Sequence, residues 1–145
     1  MIRRFGDARV DGQHYTRRHG AYAIVLQGDH VLLTHQSWPE NDWQLPGGGI
    51  DANESAAQAL RREVREETGW RVRPLRRLGA FRRFCYMPDY DLWAEKLCSI
   101  YLAQPLRAVG PPTEPGHRAA WRPLPEAVAL LGNDGDRSFL AALLR

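Results

Sequence analysis

Hydrophobic positions change their spacing several times along the chain, and each change predicts a different element. From Ala21 to Gln36, two runs of Ala, Ile, Val and Leu flank Gly28-Asp29. β-forming runs around a two-residue turn with glycine predict a hairpin over 21–36. SWPENDW reads as a loop, and the short apolar piece Trp43–Leu45 ends at Pro46 and the three glycines Gly47–Gly49. The spacing then becomes helical. Between Ser55 and Thr68, Ala57, Leu60 and Val64 form one apolar stripe at 100° per residue, with Arg61, Arg62 and Arg65 away from its centre. Ser55-Ala56-Ala57-Gln58 is a capping box at the start, and Gly69 stands in the C′ position.

Further along, Arg71 to Tyr101 carries segments rich in Val, Leu, Phe and Tyr, interrupted by Met87-Pro88-Asp89 and clearest in KLCSIYLA. These are expected strands. GPPTEPG is a loop, Trp121 opens a last short strand, Pro125–Leu131 makes a small helix, and Asp136 is the expected N-cap of a helix over Ser138–Leu144. Residues 1–19 are polar and basic without a usable alternation. Strands mixed with helices predict an α/β layered sandwich.

Composition narrows the class. A chain of 145 residues, 43% hydrophobic, has the length of one domain with its own core. Apolar runs such as Ala21–Leu26 are too short to span a bilayer, and Met1–Arg4 lacks the apolar segment of a secretory signal, so a cytoplasmic location is expected. Cys85 and Cys98 have no zinc-type spacing and are expected to be reduced and structural. The net charge of +3 suits an anionic substrate. However, 19 of the 20 basic residues are arginine, the bias of a GC-rich genome, which discounts charge as a signal. Neither a P-loop nor a G-x-G-x-x-G pattern occurs, which removes the usual support for kinase, GTPase or dehydrogenase readings.

The candidate chemistry lies in the helix and the glycines before it. Glu63 and Glu67 are i,i+4 neighbours and Glu66 is three after Glu63, so the three carboxylates share one side within about 100°. Glu67 lies close to the apolar stripe, where carboxylates are poorly solvated and repel one another. Arginines commonly neutralise such a run in a solvated salt-bridge helix. Gly47–Gly49 shift the balance, because glycine lets backbone carbonyls approach a ligand that side chains would block. Carbonyl and carboxylate oxygens together favour magnesium or manganese over zinc.

Gly48, Glu54, Arg62, Glu63, Val64, Glu66, Glu67, Gly69 and Trp70 fit the pattern G-x5-E-x7-R-E-U-x-E-E-x-G-U, U being a bulky apolar residue, without a gap. Each fixed position matches by chance in about 5–10% of cases, so nine together are on the order of one in a billion. The chain thus resembles the Nudix hydrolase family over about residues 18–145, with residues 1–17 as an N-terminal segment. The resemblance implies a Nudix-type α/β/α sandwich with a mixed central sheet. It also implies divalent-metal-dependent hydrolysis of a nucleoside diphosphate-linked substrate by water attack on phosphorus, with Mg²⁺ as the ion and Mn²⁺ as its substitute. Carried over by position, Glu63, Glu66 and Glu67 are metal ligands or base, the Gly47 or Gly48 carbonyl is a further ligand, and Arg62 holds a glutamate in place. Glu54 is structural.

Which glutamate is the base stays open, since in this family it can lie outside the box. Glu114 and then Glu95 are the outside candidates. For the group beyond the diphosphate, Trp38, Phe84, Tyr86, Tyr90 and Trp93 can stack and Arg82 or Arg83 can meet phosphates. None of the five histidines has a spacing that makes a site. The proline that ADP-ribose pyrophosphatases carry about fifteen residues past the box is replaced by Cys85. Tyr86, one position on, matches the tyrosine of dinucleoside polyphosphate hydrolases. Members of this length are often nucleoside triphosphate pyrophosphatases of the oxidised-nucleotide-sanitising type (8-oxo-dGTP diphosphatase-like), the leading expectation. Dinucleoside polyphosphate, ADP-ribose or RNA 5′-pyrophosphate hydrolysis, and a nucleotide-sensing module without turnover, are the alternatives. The expected partner is a nucleotide-type small molecule, with nucleic acid only if an RNA 5′ end is the substrate. No membrane is involved, and a homodimer is left open.

Overall fold

The computed structural model describes residues 2–144; the expected limits at Met1 and Arg145 lie outside them. Strands β2 (Thr16–Gln27) and β3 (His30–Gln36) form the expected hairpin about Gly28, whose φ of 62° suits a turn that other residues enter with strain. Their mutual ladder is confined to Leu26–Val31 and Gln27–His30. Beyond it the strands part. β2 runs parallel to β7 (Leu92–Ala108) from Thr16 opposite Ala94 to Val25 opposite Ala103. β3 instead takes β4 (Asp42–Gln44) and β8 (His117–Pro123), both antiparallel. On the far side of β7 lies antiparallel β6 (Trp70–Met87), followed by parallel β1 (Arg3–Arg4), and β5 (Gly47–Gly49) pairs antiparallel with β2. The sheet is therefore mixed, and where β2 and β3 diverge it opens a wedge.

Helix α1 (Ala56–Thr68) covers one face. Ser55 and Gln58 form the capping box in both directions, and Gly69 closes the helix at φ 77°. Leu60 and Val64 pack on Ala21, Ala23, Val25, Leu32, Val72 and Ala103. Ala59 is fully buried, whereas Ala57 of the expected stripe is only partly covered. On the opposite face, Ile24, Phe81, Cys98 and Ile100 meet Ala127, Leu131 and Leu140 from α2 (Leu124–Leu130), α3 (Asp134–Ala141) and the residue between them. Successive β2 residues thus feed alternate layers, as period-2 alternation requires, and the result is an α/β/α sandwich.

Three expectations need correction. The last strand, β8, begins at His117 and not at Trp121. The several strands expected between Arg71 and Tyr101 are two long ones, β6 and β7, joined by the 3-10 turn Pro88–Tyr90. Irregularities near Pro74 and Gly79 interrupt the residue pattern, yet they bend the ladder instead of ending it. Asp136 does not cap the last helix. Asn133 does, its side-chain oxygen accepting from the Asp136 N–H at 2.8 Å, and α3 begins at Asp134. The Asp136 carboxylate turns inward to accept from the Leu45 N–H at 3.1 Å and from the Asn133 side-chain amide at 2.9 Å. Being buried, it has its pKa raised from 3.8 to about 6.

Candidate active site

The carboxylates and the glycine bend meet where α1 lies against β5. Glu67 is only 7% exposed, and its Oε1 accepts from the Gly47 N–H at 2.9 Å. Burial raises its pKa well above the usual carboxylate range; the Gly47 hydrogen bond opposes this, and Glu63, Glu114 and Glu66 add to it. Burial also raises Glu63, with Arg62 pulling the other way. The Glu63 carboxylate is pressed onto the loop: a Cβ at Gly48 would stand 2.6 Å from its carboxyl carbon. Gly47 is as constrained, since a Cβ there would lie 2.2 Å from the Ala21 carbonyl oxygen. Glycine is needed here for close approach.

Arg62 ties the corner together. Its Nε and NH2 donate to the two Glu54 oxygens at 2.7 and 2.9 Å, NH1 donates to Glu63 at 2.9 Å, and NH2 donates to the Gly49 carbonyl at 3.1 Å. Glu66 lies 3.5 Å from the same guanidinium. Forked contacts of this kind fix geometry as well as charge. They hold the Glu54 carboxyl down to about 2, together with the Asp51 N–H. Arg62 is thus the arginine that neutralises the box glutamates, while Arg61 and Arg65 make no ion pair among the described residues.

A second segment is brought in by the helix end. Gly69 N–H bonds back to Arg65, its carbonyl accepts from Val109, and a Cβ at Gly69 would meet the Gly110 carbonyl oxygen at 1.8 Å. The Glu66 carbonyl accepts from both Thr113 and Glu114 at 2.8 Å. The loop after β7 is thereby pinned over the end of α1. It carries Glu114 and His117 to a cavity of about 260 Å³ that they line with Gly47, Gly48, Glu63 and Glu67. His117 Nε2 is 3.8 Å from Glu67 Oε2, and its Nδ1 pairs with Thr34 Oγ1 at 2.9 Å. Burial lowers the His117 pKa. Sequence spacing carried no sign of this histidine; only the β3–β8 pairing places it.

The other candidates separate by strand face. Register puts Arg18 opposite Lys96 and Lys96 opposite Arg83, a cross-strand row on the face of Phe81, Cys85 and Cys98. Arg18 and Lys96 line the carboxylate cavity, and Arg83 and Lys96 line the adjoining one of about 160 Å³ with Tyr22, Gln36, Gln44 and Asp136. Glu95, Arg82 and Phe84 alternate to the opposite face. There Glu95 pairs with Arg17 and Arg82 at 3.3 Å, and Phe84 packs edge-on against Tyr15 at 4.8 Å. The structure therefore brings Glu114 to the carboxylates and leaves Glu95 away from them. Tyr86, at the strand end, borders the smaller cavity while its hydroxyl bonds Asp91 and its ring meets Trp93 at 5.3 Å. Tyr90 lies under Arg18, 4.6 Å from the ring centre, at the cavity rim, and Trp38 is exposed. Both cysteines are free, burial pushing Cys98 up to about 12. No group of three or more His, Cys, Asp or Glu forms a ready-made metal cage among the described residues.

Residues 16–143 match the NUDIX domain. The chain belongs to the Nudix family. A CMP-5′-(N-acetyl-N-hydroxy-3-aminopropyl)phosphonate hydrolase from Streptomyces rubellomurinus is 36% identical over 81% of this chain and 58% of its own length. A putative 8-oxo-dGTP diphosphatase from Bacillus subtilis is 38% identical over 51% of this chain and 50% of its own. An RNA pyrophosphohydrolase from Halorhodospira halophila is 43% identical over 42% and 34%. The chain thus spans between a third and three fifths of these relatives' lengths. Among solved structures, a Nudix hydrolase from Nitrosomonas europaea superposes at TM-score 0.65 with 25% identity, covering 79% of this chain and 78% of that one. A MutT protein from Methanosarcina mazei reaches 0.70 at 21% identity over 90% and 95%, a likeness of fold. Divalent metal is general in the Nudix family, and no helix among the described residues is long and apolar enough to cross a membrane.

Proposed function

We propose that this Nudix chain is a Mg²⁺-dependent pyrophosphohydrolase that opens a nucleoside diphosphate linkage by attack of water on phosphorus. The observation that carries the reading is the desolvated Glu67, hydrogen-bonded by Gly47 and flanked by a Glu63 carboxylate that occupies the space a side chain at position 48 would fill.

The donor set fits a hard divalent ion, being carboxylate and carbonyl oxygen throughout. Glu63, Glu66 and the Gly47 or Gly48 carbonyl would hold Mg²⁺, or Mn²⁺ in its place, with Glu67 as base or as a further ligand. When bound, the ion supplies neutralisation of diphosphate charge and acidification of water. The chain's own groups do the rest. Glu67, made more basic by burial, accepts the proton of the attacking water, and Gly47 N–H fixes its orientation. Glu114, in the same cavity, is the alternative base. Arg62 keeps Glu54 and Glu63 in register with the glycine bend. Arg18, Lys96 and Arg83 line the wall where substrate phosphates need counter-charge.

The leading substrate class is a nucleoside triphosphate, cut to monophosphate and pyrophosphate in the oxidised-nucleotide-sanitising manner, which the relative named 8-oxo-dGTP diphosphatase supports. An RNA 5′-pyrophosphate is the second reading, supported by the relative named RNA pyrophosphohydrolase. Every glutamate of the box is present, which weighs against a module without turnover. The test is incubation with Mg²⁺ and a panel of deoxynucleotides, oxidised nucleotides, dinucleoside polyphosphates, sugar nucleotides and triphosphorylated RNA, with products resolved by mass. Release of a nucleoside monophosphate from a free nucleotide is expected. A folded protein that turns over no member of the panel overturns the hydrolase reading.

A further inference from the structure

On the far side of α1 from the carboxylate cavity lies a groove of about 480 Å³ that the proposed hydrolysis leaves without a role. Arg61 and Arg65, one turn apart on the helix, form one wall. Arg71 and Arg107, directly opposite each other across β6 and β7, form the other, with Val72 and half-exposed Leu106 between the walls. All four arginines are exposed, and none makes an ion pair or side-chain hydrogen bond among the described residues. No carboxylate lines the groove. Like charges facing each other across strands destabilise a sheet. An arginine-rich composition accounts for many arginines; it does not account for four of them gathered unpaired around one depression.

We propose that this groove binds the phosphodiester backbone of a single-stranded nucleic acid. A nucleic-acid strand carries one negative charge at every residue, an anion density matched to four unneutralised guanidiniums in one groove. Guanidiniums grip phosphate oxygens in pairs. The groove has no aromatic lining, so it reads backbone and not bases. Arg62 lines the groove and also bonds Glu63 of the box, so it stands between the two. An acidic peptide meets the same charges only through carboxylates on flexible side chains, whose ordering costs rotamer entropy.

The test is fluorescence anisotropy of a labelled oligouridylate and its oligodeoxythymidylate counterpart across a salt series, with polyglutamate and a free nucleotide as competitors. Wild type is expected to bind both oligomers with a salt slope of about −3, the value for four neutralised phosphates. R65Q/R107Q is expected to weaken binding about tenfold or more and to reduce the slope by about 1.4. Glu67→Gln is expected to bind as wild type does, which separates the groove from turnover. R76Q/R77Q, which removes two exposed arginines elsewhere on β6, is expected to leave binding within about twofold. Equal loss in that control, displacement by stoichiometric free nucleotide, or polyglutamate binding as tight as the oligomers would each overturn the proposal. All the substituted side chains are exposed, and thermal unfolding verifies that each variant is folded.

Discussion

The corner where α1 meets β5 and the wall built by β2, β7 and β6 both face the same cleft, yet one is written in consecutive residues and the other is not. In the corner, Arg62, Glu63, Glu66 and Glu67 lie within six residues, and helical geometry alone puts them on one side. On the wall, Arg18, Lys96 and Arg83 come from three strands and become neighbours only through register. A shift of one residue in β6 would replace Arg83 with Arg82 on the cleft face, because successive side chains point to opposite sides. Local periodicity therefore locates the proposed reactive group, while the cations proposed to face the rest of the substrate depend on pairings made over long sequence separations.

The sharpest way to break the comparison is at Glu67. Glu67→Gln keeps an acceptor for the Gly47 N–H and is expected to lower kcat by about a hundredfold or more while leaving the far-ultraviolet circular dichroism unchanged. Wild-type turnover at saturating Mg²⁺ would remove the assigned role. Gly48→Ala tests the corner's steric side. The added methyl must displace the Glu63 carboxylate, so calorimetric Mg²⁺ titration is expected to show about tenfold weaker binding. On the wall, Lys96→Ala and Arg83→Ala are each expected to raise KM about tenfold, as loss of a hydrogen bond to a charged group does. Arg82→Ala, one residue away on the outer face, is expected to stay within about twofold. Equal effects at 82 and 83 would show that register is not what selects the wall.

The smallest effect concerns Asp136 and stability. Its folded pKa is raised to about 6 against an ordinary 3.8, so the folded state holds a proton that the unfolded state has lost between about pH 4 and 6. Stability from this group is greatest below that window and declines as pH rises through it, by about 2–3 kcal/mol in all. Urea unfolding of Asp136→Asn across the same range is expected to give a flatter profile than wild type.

Much of the architecture is legible in the residues because its signals are local. Ser55, Gln58 and Gly69 bound α1 as their cap chemistry requires, and Gly28 marks the β2–β3 turn. Where signals were overridden, a tertiary partner is responsible. Asp136 looks like a cap, but the unpaired N–H of Leu45 on a distant strand end draws its carboxylate inward, and Asn133 caps instead. Alternation along β6 likewise places Phe84 against Tyr15 and Arg82 against Glu95. His117 carried no spacing signal because its partners, Thr34 and Glu67, are far away in sequence.

The sequence by itself determined the family, the capped helix and the carboxylate triplet, because 3.6-residue periodicity and the glycines' freedom of approach act between neighbours in the chain. Only the tertiary structure decided which loop carboxylate and histidine join that triplet and which cations line the cleft. It also decided which arginines stand unpaired on the reverse of the helix. Those choices depend on strand register and on the Gly69–Gly110 approach, where residues distant along the chain are held together by a ladder of backbone hydrogen bonds.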